Sequence, residues 1–174
     1  MASIALLITN CYFDFTMTRV LFVCLGNICR SPAAEGILRE LSQRQNLEVF
    51  VDSVGTGGWH VDEPPDARMC EHAKLRGYDL SRLKGRQFDA AIDFENFNLI
   101  LTMDNANLRN ILALDKNGLY KDKIRKTTSF CRIHEIDEVP DPYYKGDEGF
   151  EHVLDILEDA CTELIVKIQK GELK

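Results

Sequence analysis

The residues able to do chemistry in this chain are concentrated between Cys24 and Arg30. Cys24-Leu25-Gly26-Asn27-Ile28-Cys29-Arg30-Ser31-Pro32 follows the apolar run Val20-Leu21-Phe22-Val23, and reads as the end of a strand, a tight loop and the start of a helix. A loop of this kind turns its backbone N–H groups toward one point, and the helix N-terminus behind it adds positive potential. The planar fork of Arg30 binds two oxygens at once and keeps its charge, so the segment Leu25, Gly26, Asn27, Ile28, Cys29 with Arg30 makes a cradle for a tetrahedral oxyanion. Gly26 and Asn27 suit positions with φ above zero. Cys24 stands where a thiolate is stabilised. A nucleophile inside an anion cradle points to chemistry on phosphate itself. A plain core cysteine would leave Gly26, Asn27 and Arg30 without a reason.

A second group lies more than a hundred residues later, Val139-Pro140-Asp141-Pro142-Tyr143-Tyr144. A phenolate leaving group, with a pKa of about 10, gains from a proton as its P–O bond breaks. Asp141 can give that proton and, as a carboxylate, activate water to cleave a cysteinyl-phosphate. On spacing alone it is equally a turn residue, since Asp-Pro is a common loop dipeptide. Tyr143, Tyr144 and the single tryptophan, Trp59, fall on loops and can wall a slot for an aryl ring, although Trp59 also reads as a packing residue.

The string Cys24 to Gly36 (CLGNICRSPAAEG), followed at this distance by Asp141-Pro142-Tyr143-Tyr144, resembles the low-molecular-weight protein tyrosine phosphatases from about Thr18 to the C-terminus. The resemblance implies hydrolysis of phosphotyrosine through a cysteinyl-phosphate, with Cys24, Arg30 and Asp141 catalytic and no metal or other cofactor. It implies that Asn27 organises the loop by side-chain hydrogen bonds, that Ser31 donates to the sulfur, and that Ser53 supports the loop. It assigns Trp59, Tyr143 and Tyr144 to the substrate pocket. One position departs: many members carry a histidine before the K/R-x-R-Q stretch, and here the chain reads Leu83-Lys84-Gly85-Arg86-Gln87. Two other activities share this fold and loop. A thiol-relay arsenate reductase needs cysteines after the third strand, where this chain reads Thr102-Met103-Asp104-Asn105-Ala106-Asn107. A phosphoarginine phosphatase carries a threonine at the position of Ile28.

The bulk properties agree. The 174 residues suffice for one domain with one core, and the net charge of −7 argues against nucleic acid as a partner. Phosphotyrosine proteins, small aryl phosphates, inorganic phosphate and other oxyanions are the expected ligands. The six cysteines (11, 24, 29, 70, 131, 161) form no C-x-x-C and no zinc spacing, which suits a reducing cytoplasm. Cys29, across the loop from Cys24, can trap an oxidised Cys24 as a disulfide. Exposed Tyr143 and Tyr144 fit a monomer or weak dimer. The four histidines (60, 72, 134, 152) read as surface residues. The apolar run Ile4-Ala5-Leu6-Leu7-Ile8 is too short to span a bilayer and lacks signal-peptide flanks, so residues 1–17 read as an extension ahead of a phosphatase domain at 18–174, with Met17 as the functional start.

The elements that must position these residues follow from periodicity. Strands are expected near 19–24, 48–54, 98–102 and 123–128. Helices are expected from Ser31 as N-cap with Pro32 at N1, over 66–76 ending at Gly77, after an Asp104 cap, and over 148–169. Phe150, Val153, Leu154, Leu157, Cys161, Leu164, Ile165 and Ile168 share one face of the last. The alternation predicts a single α/β domain, a four-stranded parallel sheet of order 2-1-3-4 with helices on both faces, flavodoxin-like or Rossmann-like. Cys24 then falls at a strand's C-terminal end, where such folds bind ligands.

Overall fold

The computed structural model describes residues 17–173, so the expectation for the extension lies almost wholly outside the described residues. Strand β1 (Thr18–Cys24) is the apolar run expected to be a strand, and its last five residues are all buried. Burial on both faces is what a parallel sheet under two helical layers requires. Val20, Phe22 and Cys24 face one core, while Leu21 and Val23 face another. The sheet is parallel throughout and its order is β2-β1-β3-β4, with β2 (Val49–Gly55), β3 (Leu99–Thr102) and β4 (Ile124–Lys126). Cys24 pairs in register with Gly55, so β1 and β2 end level at the site.

Helices α1 (Arg30–Arg44) and α5 (Gly146–Gln169) pack on each other and supply the first core. The apolar stripe of α5 is buried as expected from Phe150 to Ile165, and Ile168 packs against its margin. Helix α2 (Ala67–Leu75) packs on α5. Asp66 caps it, accepting from the N–H groups of Arg68 and Met69, and Gly77 takes the left-handed conformation beyond its end (φ 89°). The second core gathers Phe88, Phe94, Phe97 and Ile111, the last two flanking β3 and on α4 (Asn105–Leu114). A short helix α3 (Asp93–Asn96), which no periodicity announced, carries Phe94 into that core.

Two boundaries differ from the sequence reading. Helix α1 starts at Arg30 with Cys29 at the N-cap and no side-chain cap, so Ser31 is not the cap. Its hydroxyl is used by the Cys24 sulfur and the Val54 carbonyl instead. Strand β4 stops at Lys126, because Thr127 and Thr128 leave the ladder in a single 3-10 turn whose hydroxyls bond the carbonyls of Thr102 and Asp137.

Candidate active site

The loop after β1 is shaped from outside and within. Its carbonyls are taken by flanking loops: Cys24 O accepts from Thr56 N–H (2.8 Å), Leu25 O from Gly57 N–H (2.9 Å) and Ile28 O from Asp66 N–H (2.8 Å). Carbonyls held outward leave the peptide N–H groups facing the interior of the loop. The amides of Gly26, Ile28 and Cys29 have no acceptor among the described residues, and they stand at the N-terminus of α1. Asn27 takes the left-handed conformation (φ 57°) as expected. Gly26 does not; a Cβ there would meet His60 Cδ2 at 3.2 Å, a close contact with the ring.

A chain of buried hydrogen bonds runs from the sulfur into the core. Ser31 Oγ donates to Cys24 Sγ (3.0 Å), and Asn27 N–H donates to the same sulfur (3.2 Å). Asn27 Nδ2 donates to Ser31 Oγ and to Ser53 Oγ, each at 2.9 Å. Ser53 Oγ donates to Glu35 Oε2 (2.6 Å), and Glu35 pairs with Arg39 on its other oxygen. On the far side of Asn27, the Arg86 N–H donates to Oδ1 (2.9 Å), while the Arg86 guanidinium pairs with Asp52 and Asp93. Burial pushes the Glu35 carboxyl up to about 7, opposed by Ser53 and Arg39. The support that the missing histidine at Leu83 left in question therefore ends on Glu35; Leu83 itself packs against the apolar core.

Arg30 is buried, and its fork is divided. One amino group donates to Asp104 Oδ2 (2.7 Å) and to Val139 O (3.1 Å), and the other reaches Asp141 Oδ2 at 3.5 Å. Asp104 serves two ends at once, since it also caps α4 through Asn107 N–H (2.7 Å). Asp141 is half-exposed, and its Oδ1 accepts from the Tyr143 N–H (3.1 Å).

All of the expected site residues except Asn27, Ser31 and Ser53, which lie beneath the loop, line a single cleft of about 300 Å³ over the sulfur. Trp59 is exposed and its ring lies over Gly57, close against the place where a Cβ would stand. Tyr143 and Tyr144 meet edge to face at 4.9 Å, with Tyr144 93 % exposed. Cys29 is buried beside them and its thiol is pushed far up by burial and then by Asp66 and Cys24; the described cysteines are all free.

Three participants were missed. His60, read as a surface residue, forms part of the cleft wall with Nδ1 held by Glu63 at 2.5 Å. Asp104 was read only as a cap. Glu35 had a legible signal, a carboxylate next to Ala34 on the apolar stripe of α1. His152 is exposed as expected, while two other histidines are less simple. His72 is stacked on Phe150 at 5.5 Å and paired with Glu151, and His134 is paired with Asp159.

A free thiol under an arginine fork, at a helix N-terminus and opposite a carboxylate, is an arrangement chemically able to hold and attack an oxyanion. Residues 19–173 match the family described as low molecular weight phosphotyrosine protein phosphatase, and the chain belongs to that family. It is 48 % identical over 154 residues to slr0328 of Synechocystis, named provisionally as a low molecular weight protein-tyrosine-phosphatase, covering 87 % of this chain and 97 % of that one. It is similar to the crystal structure of an Entamoeba histolytica protein tyrosine phosphatase with Hepes in its active site (TM-score 0.85, 44 % identity, 90 % and 99 % of the two chains). It is also similar to the structure of YfkJ from Bacillus subtilis (TM-score 0.82, 35 % identity, 91 % and 98 %). The order and direction of the four strands are those expected from the sequence.

Proposed function

We propose that this chain hydrolyses phosphotyrosine in proteins through a cysteinyl-phosphate. The observation that carries the reading is the cleft in which the Cys24 sulfur, the Arg30 guanidinium and the Asp141 carboxyl meet beneath aromatic walls. The thiolate attacks phosphorus in line and the P–O bond to the aryl group breaks. Arg30 and the loop amides hold the equatorial oxygens, on which charge is greatest in the transition state. Asp141 gives its proton to the departing phenolate. The resulting carboxylate then takes a proton from water as the water attacks phosphorus, and the thiolate leaves with inorganic phosphate as product. Asp104 and the Val139 carbonyl orient the guanidinium. Trp59, Tyr143 and Tyr144 select an aryl ester by stacking against its ring.

Hepes in the Entamoeba enzyme is a sulfonate, a tetrahedral oxyanion of the kind the cradle is built to hold. Among the described residues no helix is long and apolar enough to cross a membrane. A thiolate nucleophile beside a second thiol suits the cytoplasm. The exposed Tyr143 and Tyr144 suit a monomer that dimerises weakly, which sedimentation with Tyr144→Ala would check.

The test is phosphate release from a phosphotyrosine peptide, a phosphoserine peptide and a phosphoarginine substrate, by wild type and Cys24→Ser. Release from phosphotyrosine alone, lost in Cys24→Ser, is expected; release from phosphoarginine alone, or none, overturns the reading. The adjacency of Cys29 extends it to oxidation. Peroxide converts Cys24 to a sulfenic acid, and the Cys29 thiol displaces water from it to give a disulfide. Cys29→Ser should then recover less activity than wild type after peroxide and thiol treatment.

A further inference from the structure

Arg68 on α2 stands behind the cleft wall at Tyr143, and the mechanism does not use it. Its Nε and one amino group take both oxygens of Asp66, at 3.1 and 2.7 Å. Its other amino group donates to the Tyr143 carbonyl at 3.1 Å, across 75 residues of sequence. The guanidinium lies 5.0 Å from the centre of the Tyr143 ring and 4.8 Å from that of Phe150 at the start of α5. All three nitrogens of the guanidinium are thus engaged. The α2 cap does not need this side chain, because Asp66 already accepts from the backbone N–H groups of Arg68 and Met69.

Followed in both directions, these contacts close a ring. Asp66 N–H is tied to Ile28 O in the phosphate loop, and Arg68 joins Asp66 to Tyr143. The Tyr143 N–H holds Asp141 Oδ1, and Asp141 Oδ2 returns to Arg30 in the phosphate loop. The Arg30 contact is the longest in the ring at 3.5 Å, and a phosphoryl group in the cradle competes for that same fork. Upstream of Asp141 the segment stays tied by Val139 N–H to Met103 O (2.8 Å). Downstream, the tie is Arg68.

We propose that Arg68 is a positioning residue for the general acid, resting on the role of Asp141 given above. By holding the Tyr143 peptide it keeps Asp141 over the leaving oxygen when Arg30 turns to the phosphoryl group. A lysine in its place carries the charge but cannot span Asp66 and Tyr143 together. A residue that merely stabilises the fold would lower all activities alike. A residue that places the acid acts most on esters whose leaving group needs the proton.

The experiment compares kcat/KM for phenyl phosphate, whose leaving group resembles tyrosine, with that for 4-nitrophenyl phosphate, whose leaving group is far more acidic. The ratio is read in wild type, Arg68→Met, Arg68→Lys, Asp141→Asn and the Arg68→Met/Asp141→Asn double variant. The ratio should fall roughly tenfold in Arg68→Met and about threefold or more in Arg68→Lys, the scale of a displaced catalytic group. In the Asp141→Asn background Arg68→Met should leave the ratio where it is, since the group being placed is gone. If Arg68→Met yields no folded protein, the Arg68→Lys ratio decides. A wild-type ratio in the folded Arg68 variants, with a lowered one in Asp141→Asn, overturns the role of Arg68 and leaves that of Asp141. So does an equal further fall in the double variant. An unchanged ratio in Asp141→Asn overturns both.

Discussion

The two sides of the cleft are built in opposite ways. The phosphate loop is one run of sequence in which Cys24, Asn27, Cys29 and Arg30 are buried and whose carbonyls are held by two neighbouring segments, the loop after β2 and the start of α2. The segment from Asp141 to Lys145 is largely exposed and rests on a few polar ties to Arg30 and Arg68. The difference matches the work. A cradle for a transition state must be set in advance, because donors that reorganise during the reaction lose their advantage. On the proposed mechanism Asp141 meets a leaving oxygen that arrives on a large partner, which suits a segment lying at the surface.

Substitutions on the two sides should therefore differ in kind. Cys24→Ser should show the largest effect, with no turnover above background in a phosphotyrosine peptide assay and a protein still folded by circular dichroism. Asp141→Asn should lower kcat/KM for phenyl phosphate by about 10²–10⁴-fold, the range for a lost general acid. Its melting temperature should barely change, because the carboxylate is 55 % exposed.

Asn27→Ala sits on the rigid side and should reverse that pattern. It removes the donor to Ser31 and Ser53 and the acceptor for Arg86, and places alanine at φ 57°. Stability should fall by about 2–4 kcal/mol in urea denaturation, since each buried group left unsatisfied costs about 1–3 kcal/mol. Activity should fall with it. A loss of activity without a loss of stability would mean the loop is held by its backbone alone.

Glu35→Gln probes the far end of the same hydrogen-bond chain through pH. The folded carboxyl sits at about 7 against an ordinary 4.5, so as pH rises the unfolded chain releases its proton first. The native state retains a proton that the unfolded state has lost, and stability falls with pH. The slope is roughly 1.4 kcal/mol per pH unit across that window, flat below it and flat again above it. Chemical denaturation at intervals from pH 4 to 8 should show the slope in wild type and not in Glu35→Gln. Tyr144→Ala should do least, with KM for a phosphopeptide changing by no more than about threefold and no change in melting temperature, as its ring is nearly all solvated.

How much of this was legible follows the same division. The cradle was readable because its parts are neighbours in the chain and their types are restrictive: only an arginine gives a planar fork, and only a short list of residues accepts φ above zero. Gly26 was given the wrong reason, since its φ is not positive; what a Cβ there would crowd is the His60 ring. Ser31 was placed as a cap because serine favours that position, but a competing acceptor, the Cys24 sulfur, claimed its hydroxyl. Asp104 and Glu35 each carry a second bond formed across 74 or 18 residues, which no local pattern can reveal.

By itself the sequence determined the order of the four strands and the main helices, the strand that ends at Cys24 and the residue types around it. These depend on periodicity, propensity and spacing, which are properties of short stretches of chain. Only the tertiary structure decided that the phosphate loop's support ends on Glu35, that Asp104 orients Arg30, and that Arg68 ties the acid segment to the loop. Those pairings depend on distances between side chains that packing alone brings together, and the energy of a hydrogen bond or ion pair is set by that distance and by the burial around it.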